Sequence, residues 1–166
     1  MEFETAKAKF IQAWGTLGSS WGINRTMSQI HALLIINTEP LTTEQIMEEL
    51  KVSRGNVNMN IRALMEWGLV NKELVPGERK EYFSAGKDIW QVARQIAKER
   101  KRREVEPILD VIIQVKDAEG TGAEVEEFNR MMQEIEDFTS KADTTLDKFI
   151  KSDENWFYKT LLTLMK

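Results

Sequence analysis

The chain lacks most of the residues and motifs on which enzymes rely. It contains no cysteine and one histidine, His31, among its 166 residues. The absence of cysteine excludes disulfides, thiolate zinc sites and cysteine nucleophiles. The sequence also contains no Gly-rich phosphate loop, no nucleophile elbow and no histidine-based metal spacing. Because a single histidine in an apolar helix is typical of a core residue, we expect neither catalysis nor a cofactor or metal ion.

Long hydrophobic runs are also missing. The first fifteen residues, MEFETAKAKFIQAWG, contain no apolar stretch of signal-peptide or membrane length. We therefore expect a cytoplasmic protein without a membrane partner. The 42% hydrophobic content is sufficient for one substantial core, or for a small domain joined to a separate helical element.

The net charge of −4 is distributed unevenly along the chain. Residues 1–105 hold 16 basic and 13 acidic residues, a net charge of +3, whereas residues 106–166 hold 7 and 14, a net charge of −7. A locally basic part can approach a polyanion while an acidic part keeps the protein soluble. Many proteins that bind no polyanion show a similar division of charge. The charge distribution therefore supports polyanion binding only in combination with sequence motifs.

Residues 42–66 have the pattern of two helices joined by a tight turn. Thr42 and Gln45 have the spacing of a capping box, in which each side chain satisfies a backbone N–H at a helix start. Val52 falls in the turn. Ser53 is suited to cap the second helix by accepting from the amide of Asn56. The sequence therefore predicts a helix-turn-helix.

The second helix of this pair has one apolar and one polar face. Val57, Ile61 and Leu64 recur at helical spacing and should face the core. The residues turned outward are Gly55, Asn58, Met59 and Arg62. Asparagine can bond to adenine and arginine to guanine, and methionine can contact a thymine methyl. Arg54, beside a glycine without side-chain bulk, would let the helix N-terminus approach a phosphate. Taken singly, such residues also occur as caps or solvated surface.

A hairpin with basic residues at its tip follows this helix. Apolar residues from Leu69 to Val75 lead into a turn at Pro76-Gly77-Glu78-Arg79, after which Tyr82 and Phe83 return. Arg79 and Lys80 lie at or just past the tip, and Lys72 lies on the opposite arm. We expect these charges to meet the minor groove or the sugar-phosphate backbone. The alternative is a charged cap on an exposed strand edge.

Over residues 20 to 85 the chain resembles a known family. The matching residues are Ser53-Arg54-Gly55-Asn56-Val57, Met59-Asn60, Arg62, Leu64, Trp67-Gly68-Leu69-Val70 and Pro76-Gly77-Glu78-Arg79-Lys80. These are similar to the GbsR-type branch of the MarR-like transcriptional regulators. The resemblance implies a dimeric, cytoplasmic winged-helix regulator that senses a small molecule. Well-known members respond to choline or glycine betaine, but no ligand motif in this sequence carries that property over.

The flanking segments are predicted to be helical. An aromatic-rich helix runs from Phe3 to Trp21, and a second, capped by Thr26 or Ser28, ends at Asn37. A long helix is expected from Lys87 to Val115, with a bend or break near Glu106 because Pro107 removes a backbone donor. After a linker at 117–122, one helix should carry Phe128 to Phe138, and a last one should carry Leu146, Phe149, Ile150, Trp156, Phe157, Leu161, Leu162 and Met165. Their apolar faces need a partner surface, either a second copy or the core of the same chain.

Two further features allow alternative interpretations. The basic run at 98–103 (KERKRR) is expected to be a solvated helix face paired with Glu99 and Glu104, with phosphate contact as the alternative. Aromatic faces attract quaternary ammonium groups, so four tryptophans are candidates for a ligand cage, with core packing as the alternative. These are Trp14, Trp21, Trp90 and Trp156.

These observations lead to one overall prediction. The fold should be mainly α with a small β-hairpin wing, comprising a winged helix-turn-helix at 1–86 and a helical dimerisation or effector region at 87–166. The protein should be a homodimeric repressor that binds an inverted repeat in double-stranded DNA and responds to a small-molecule effector. The alternative is a winged-helix protein-interaction module. The predicted DNA contacts are Thr42, Thr43, Ser53, Arg54, Gly55, Asn56, Asn58, Met59, Arg62, Lys72, Arg79 and Lys80.

Overall fold

The computed structural model of the protein describes residues 1–152 and residue 163. The described residues are mostly helical and fall into two compact units, an N-terminal unit (Met1–Val92) and a C-terminal unit (Ala93–Lys166), which divide within one helix. The elements are α1 (Phe3–Ser20), α2 (Arg25–Ile36), β1 (Leu41–Thr42), α3 (Thr43–Leu50), α4 (Arg54–Glu66), β2 (Val70–Leu74), β3 (Glu81–Ala85), α5 (Ile89–Arg100), a π-helical turn (Lys101–Val105), α6 (Glu106–Val115) and α7 (Ala123–Lys151). Within residues 1–152, no helix combines the length and apolarity that crossing a bilayer requires.

The core of the N-terminal unit is built from α2, α3 and α4. Helix α2 is the most deeply buried, with Ile30, Leu33 and Leu34 at 1% exposure or less. Ile46 of α3 is fully buried, and α4 contributes the side chains predicted from its spacing, Val57, Ile61 and Leu64. Because the apolar stripe of α4 is anchored in this core, its opposite face points to solvent.

The sheet contains three antiparallel strands in the order β1-β3-β2. Strands β2 and β3 form the predicted hairpin. The predicted hairpin is confirmed, but the sequence analysis missed a third strand, in which Leu41 and Thr42 pair with Phe83 and Tyr82. A two-residue strand shows no alternation, and its partner lies about forty residues further along the chain.

Helices α1 and α2 approach each other closely at two glycines of α1. A Cβ atom built on Gly18 would lie 1.9 Å from the Ser28 hydroxyl oxygen, and one on Gly15 would lie 2.6 Å from Gln29 Cγ. The predicted cap of α2 at Thr26 or Ser28 was wrong. Asn24 is the cap and its side chain accepts from the backbone N–H of Met27 at 3.1 Å.

Pro107 changes the type of helix without ending it. The chain continues from α5 through the π-helical turn into α6, in which Pro107 occupies the first turn. A proline has no backbone N–H, and it is tolerated in a first helical turn where that donor would lack a partner. At the predicted bend or break near Glu106, the backbone hydrogen bonds therefore change from the π-helical to the α-helical pattern, and the helix continues.

Helix α5 starts at Ile89, two residues later than predicted. The Asp88 carboxylate accepts there from the N–H groups of Trp90 and Gln91.

Helix α7 is a single helix of 29 residues. The predicted linker at 117–122 is confirmed. The prediction of separate helices around Phe128 and Leu146 was wrong, because both side chains belong to α7. The remaining residues predicted for a last helix, Trp156, Phe157, Leu161, Leu162 and Met165, lie outside the described residues.

Candidate nucleic-acid interface

Local capping sets the geometry of the helix-turn-helix. The capping box at the start of α3 is complete, since Thr42 Oγ1 accepts from the N–H of Gln45 at 3.3 Å and Gln45 Oε1 accepts from the N–H of Thr42 at 2.8 Å. Lys51 closes α3 in the left-handed region with φ 54°. Ser53 caps α4 by accepting from the N–H of Asn56 at 3.4 Å. Both predicted caps are confirmed.

The exposed side of α4 forms what we call the recognition surface: Arg54, Gly55, Asn58, Met59 and Arg62. Met59 is 60% exposed although its side chain is large and apolar. Nothing lies within 4 Å of a Cβ built on Gly55, so the first turn of α4 is open to a close approach. The surface thus combines hydrogen-bond donors with one apolar contact, which is a set that can distinguish base pairs in a major groove.

Asn56 is less available than the sequence indicated. It is half-buried, and its side-chain oxygen accepts from Asn60 Nδ2 at 2.6 Å. The same Asn60 amide donates to the backbone oxygen of Asn56 at 2.8 Å. Asn60 is 3% exposed and was not among the predicted site residues. An asparagine on the core side of an amphipathic helix is the signal that could have identified it.

Two side-chain contacts join the first turn of α3 to the recognition surface. The Thr43 hydroxyl donates to Asn58 Oδ1 at 3.4 Å. Arg54 Nη2 donates to Glu44 Oε1 at 2.6 Å. Thr42 and Thr43, both predicted to contact DNA, are buried, with their hydroxyls directed to the cap and to Asn58 respectively. Sequence reasoning missed Glu44, because its partner lies ten residues away on another helix.

The Glu44 carboxylate lies in a positive environment. A hydrogen bond from its own backbone N–H, and then the Arg54 guanidinium, lower the pKa of this carboxyl below its ordinary value. The charge of Lys80, in the loop before β3, acts in the same direction. The ionised form of Glu44 is therefore stabilised, with Arg54 of the recognition surface contributing more than Lys80 of the hairpin.

We call β2, β3 and the loop between them the wing. Side-chain hydrogen bonds from Lys72 to Glu81 and from Ser84 to Glu73 join its two strands. Lys72, predicted to add positive charge for DNA, is therefore paired within the wing. Gly77, with φ 85°, forms the turn, and Arg79 and Lys80 follow it as exposed side chains.

Hydrogen bonds also shape the base of the wing loop. Tyr82 donates to Glu78 Oε2 at 2.5 Å, and this contact raises the pKa of the tyrosine. The bond joins the start of β3 to the turn at Gly77. It therefore constrains the loop that presents Arg79 and Lys80.

The basic run KERKRR lies in the C-terminal unit and is extensively paired. Glu99 is buried and accepts from Arg102 at 2.8 Å and from Arg103 at 3.4 Å. Lys101 lies 3.0 Å from both Glu106 and Asp143. These contacts favour the interpretation of the run as a paired helix face.

The four candidate cage tryptophans have different environments. Trp14 is half-buried, and the centroid of its ring lies 5.5 Å from that of the Phe10 ring. Trp21, at the end of α1, is 52% exposed. Trp90 is half-buried in α5, and Trp156 lies outside the described residues. A cavity of about 280 Å³ in the N-terminal unit has no tryptophan in its lining, which consists of Lys7, Leu33, Asn37, Leu41, Gln45, Glu48 and Glu49. The aromatic cage therefore stays a prediction.

Comparisons with known proteins agree with this geometry. A crystal structure of a transcriptional regulator has the same fold, with a TM-score of 0.67 and 19% sequence identity over 87% of this chain and 95% of that chain. No curated protein matches the chain. Residues 21–81 match the model of the MarR family, a segment that includes α2, the helix-turn-helix and most of the wing. The N-terminal unit thus has the fold of a winged helix-turn-helix domain, and its residues 21–81 are similar to the MarR family.

Proposed function

We propose that the protein is a sequence-specific, double-stranded DNA-binding transcriptional regulator. The observation that carries this proposal is the recognition surface, an exposed helix face with base-compatible side chains. This face is fixed by the caps at Thr42 and Ser53 and lies in the same domain as a wing with two exposed cations. A recognition helix of this kind enters the major groove while the wing contacts the flanking backbone.

The chemistry of this surface favours DNA over a protein partner. Protein-docking faces commonly include tryptophan or tyrosine anchors surrounded by a rim that excludes water. The recognition surface contains two arginines, an asparagine and one methionine, with no aromatic residue. Arg54 and Arg62 can bond bidentately to guanine, and Asn58 to adenine. Arg79 and Lys80 of the wing would supply contacts that position the domain without reading sequence.

The finer parts of the proposal rest on the resemblance to GbsR-type regulators. They are a homodimer that binds an inverted repeat, repression by occlusion of a promoter in the cytoplasm, and response to a small-molecule effector. In this arrangement residues 1–86 bind DNA and residues 87–166 dimerise. Two recognition surfaces spaced about one DNA turn apart, roughly 34 Å, would contact successive major grooves.

The test is selection of binding sites from random duplex DNA followed by sequencing. We expect the purified wild type to enrich an inverted repeat and Arg54→Ala plus Arg62→Ala to lose it, because both arginines belong to the recognition surface. Lys9→Ala plus Lys148→Ala is the matched control, since it removes two exposed positive charges from α1 and α7. This control should retain the motif.

Two outcomes would count against DNA recognition. One is a folded wild type that enriches no motif at low salt. The other is a double arginine variant that enriches the same motif as the wild type. Either result would favour the alternative function, a winged-helix module that binds another polypeptide.

A further inference from the structure

We propose that Glu44 is a positioning residue that sets the base specificity of the recognition surface by orienting Arg54. This inference rests on the proposed function and adds a residue from outside α4 to the recognition apparatus. It stands on the contact of 2.6 Å between Glu44 Oε1 and Arg54 Nη2. Contacts of a carboxylate with a guanidinium are among the stronger and more directional hydrogen bonds in proteins.

Glu44 is well placed to hold a side chain still. It lies in the first turn of α3, which the complete capping box at Thr42 and Gln45 fixes. Its neighbour Thr43 is buried and donates to Asn58 on the same recognition surface. The first turn of α3 therefore braces two outward-facing side chains of α4, one through a hydroxyl and one through a carboxylate.

The contact leaves most of the arginine available. A guanidinium has five N–H donors in a planar fork, and the observed contact engages Nη2 only. The Arg54 side chain is 59% exposed and that of Glu44 is 45% exposed, so the pair is open to an incoming ligand. A guanine can accept two hydrogen bonds from such a fork through O6 and N7.

The negative charge also disfavours the competing use of Arg54. An unbraced arginine at a helix N-terminus can turn towards the nearest phosphate, and such a contact carries no sequence information. Glu44 repels phosphates and retains Arg54, while Lys80 of the wing lies close enough to influence the carboxylate. Arg54 is thereby directed to base edges, and Lys80 is left to contact the backbone.

The experiment compares Glu44→Gln and Glu44→Asp with the wild type and with the control Glu48→Gln. Glu44→Gln removes the charge, whereas Glu44→Asp keeps it but shortens the reach towards Arg54 by one methylene. Glu48 is an exposed carboxylate one turn further along α3, so its replacement alters net charge equally. Each protein is titrated with the selected operator and with a random duplex over a series of salt concentrations.

Both Glu44 variants should lower the ratio of operator to random-duplex affinity by roughly 5- to 150-fold, the discrimination of one bidentate base contact. Because the freed Arg54 gains a phosphate contact, the slope of log affinity against log salt on random duplex should steepen by about 0.9. Glu48→Gln should change neither quantity. In an Arg54→Ala background, Glu44→Gln should have no further effect on the affinity ratio.

The possible failures are distinguishable. A wild type that binds its operator specifically, with Glu44 variants that match Glu48→Gln, overturns the positioning role and leaves DNA recognition intact. A wild type that binds no duplex rejects both proposals. Thermal unfolding of each variant is measured beforehand, and if Glu44→Gln does not fold, Glu44→Asp alone decides the result.

Discussion

At the scale of single residues, His31 is a buried imidazole whose Nε2 has no hydrogen-bond partner among residues 1–152. Its side chain belongs to α2 and the residue is 3% exposed. Burial removes water from the ring and lowers the pKa of His31 from 6.5 to about 4. The residue is therefore neutral in the folded protein at physiological pH.

This burial predicts a specific dependence of stability on pH. Because the pKa of His31 is lower in the folded than in the unfolded chain, the unfolded chain takes up the proton first as the pH falls. The contribution of His31 is complete above pH 6.5 and is lost between pH 6.5 and about 4. Between pH 7.5 and pH 5.0, the wild type should lose roughly 2 kcal/mol more of its free energy of unfolding than His31→Leu.

Chemical denaturation of both proteins at the two pH values measures this difference. Carboxylates such as Glu44 also titrate in the acid range, but they are common to both proteins and cancel in the comparison. His31→Gln is a second variant without a titrating ring, in case leucine packs poorly in α2. An equal loss of stability in wild type and variants would mean that His31 is protonated normally in the folded protein.

The sequence identified single residues where the signal was local. The helical spacing around Val57 predicted which side of α4 is exposed, and the structure confirms that Met59 is on that side. The contact of Glu44 with Arg54 was beyond such reasoning, because it depends on the angle between two helices. The pairing of Lys72 with Glu81 was missed for a similar reason, since it depends on strand register.

At the scale of elements, the packing of α1 on α2 depends on Gly18. A Cβ atom on this residue would lie 1.9 Å from Ser28 Oγ and 2.7 Å from Ser28 Cβ. Rotation of the serine can move its hydroxyl but cannot move its Cβ, so the two helices would have to separate. We expect Gly18→Ala to lower the free energy of unfolding by about 1–3 kcal/mol, as overpacking usually does.

Denaturant titration of Gly18→Ala measures this change, with Gly55→Ala as the matched control. Gly55 is also helical, but nothing lies within 4 Å of its added Cβ. Because alanine has a higher helix propensity than glycine, the control should be unchanged or more stable by about 0.5–1 kcal/mol. If Gly18→Ala were as stable as the control, the close approach of α1 and α2 would be refuted.

Elements with strong local signals were predicted with nearly correct limits. The caps at Thr42 and Ser53 fixed α3 and α4, because a cap needs only residues three positions apart. Strand β1 and the continuity of α7 were missed. The pairing of β1 depends on a partner distant in sequence, which local patterns do not reveal. The continuity of α7 did have a local signal, because the stretch from Phe138 to Leu146 contains no proline or glycine that would end a helix.

At the scale of the whole molecule, the C-terminal unit presents apolar side chains that its described residues leave exposed. On α6, Ile108, Val111 and Val115 recur at steps of three and four and are 52%, 55% and 37% exposed. On α7, Phe138 is 75% exposed. Exposed apolar side chains that recur along one helix face are candidates for contacts between proteins. In the homodimer of the proposed function, a second copy of the chain would cover these side chains.

The wild type should therefore sediment at about twice the chain mass of 19.2 kDa. Val111→Lys should shift it towards the monomer and weaken binding to the full inverted repeat more than to a half-site, because the two recognition surfaces would no longer be joined. Asp110→Lys is the control, since it places a lysine on the same helix but away from the line of Ile108, Val111 and Val115. Sedimentation at several concentrations would contradict the homodimer if the wild type stayed monomeric. If Val111→Lys and Phe138→Lys both remained dimeric, the contact between the two copies would lie at other residues.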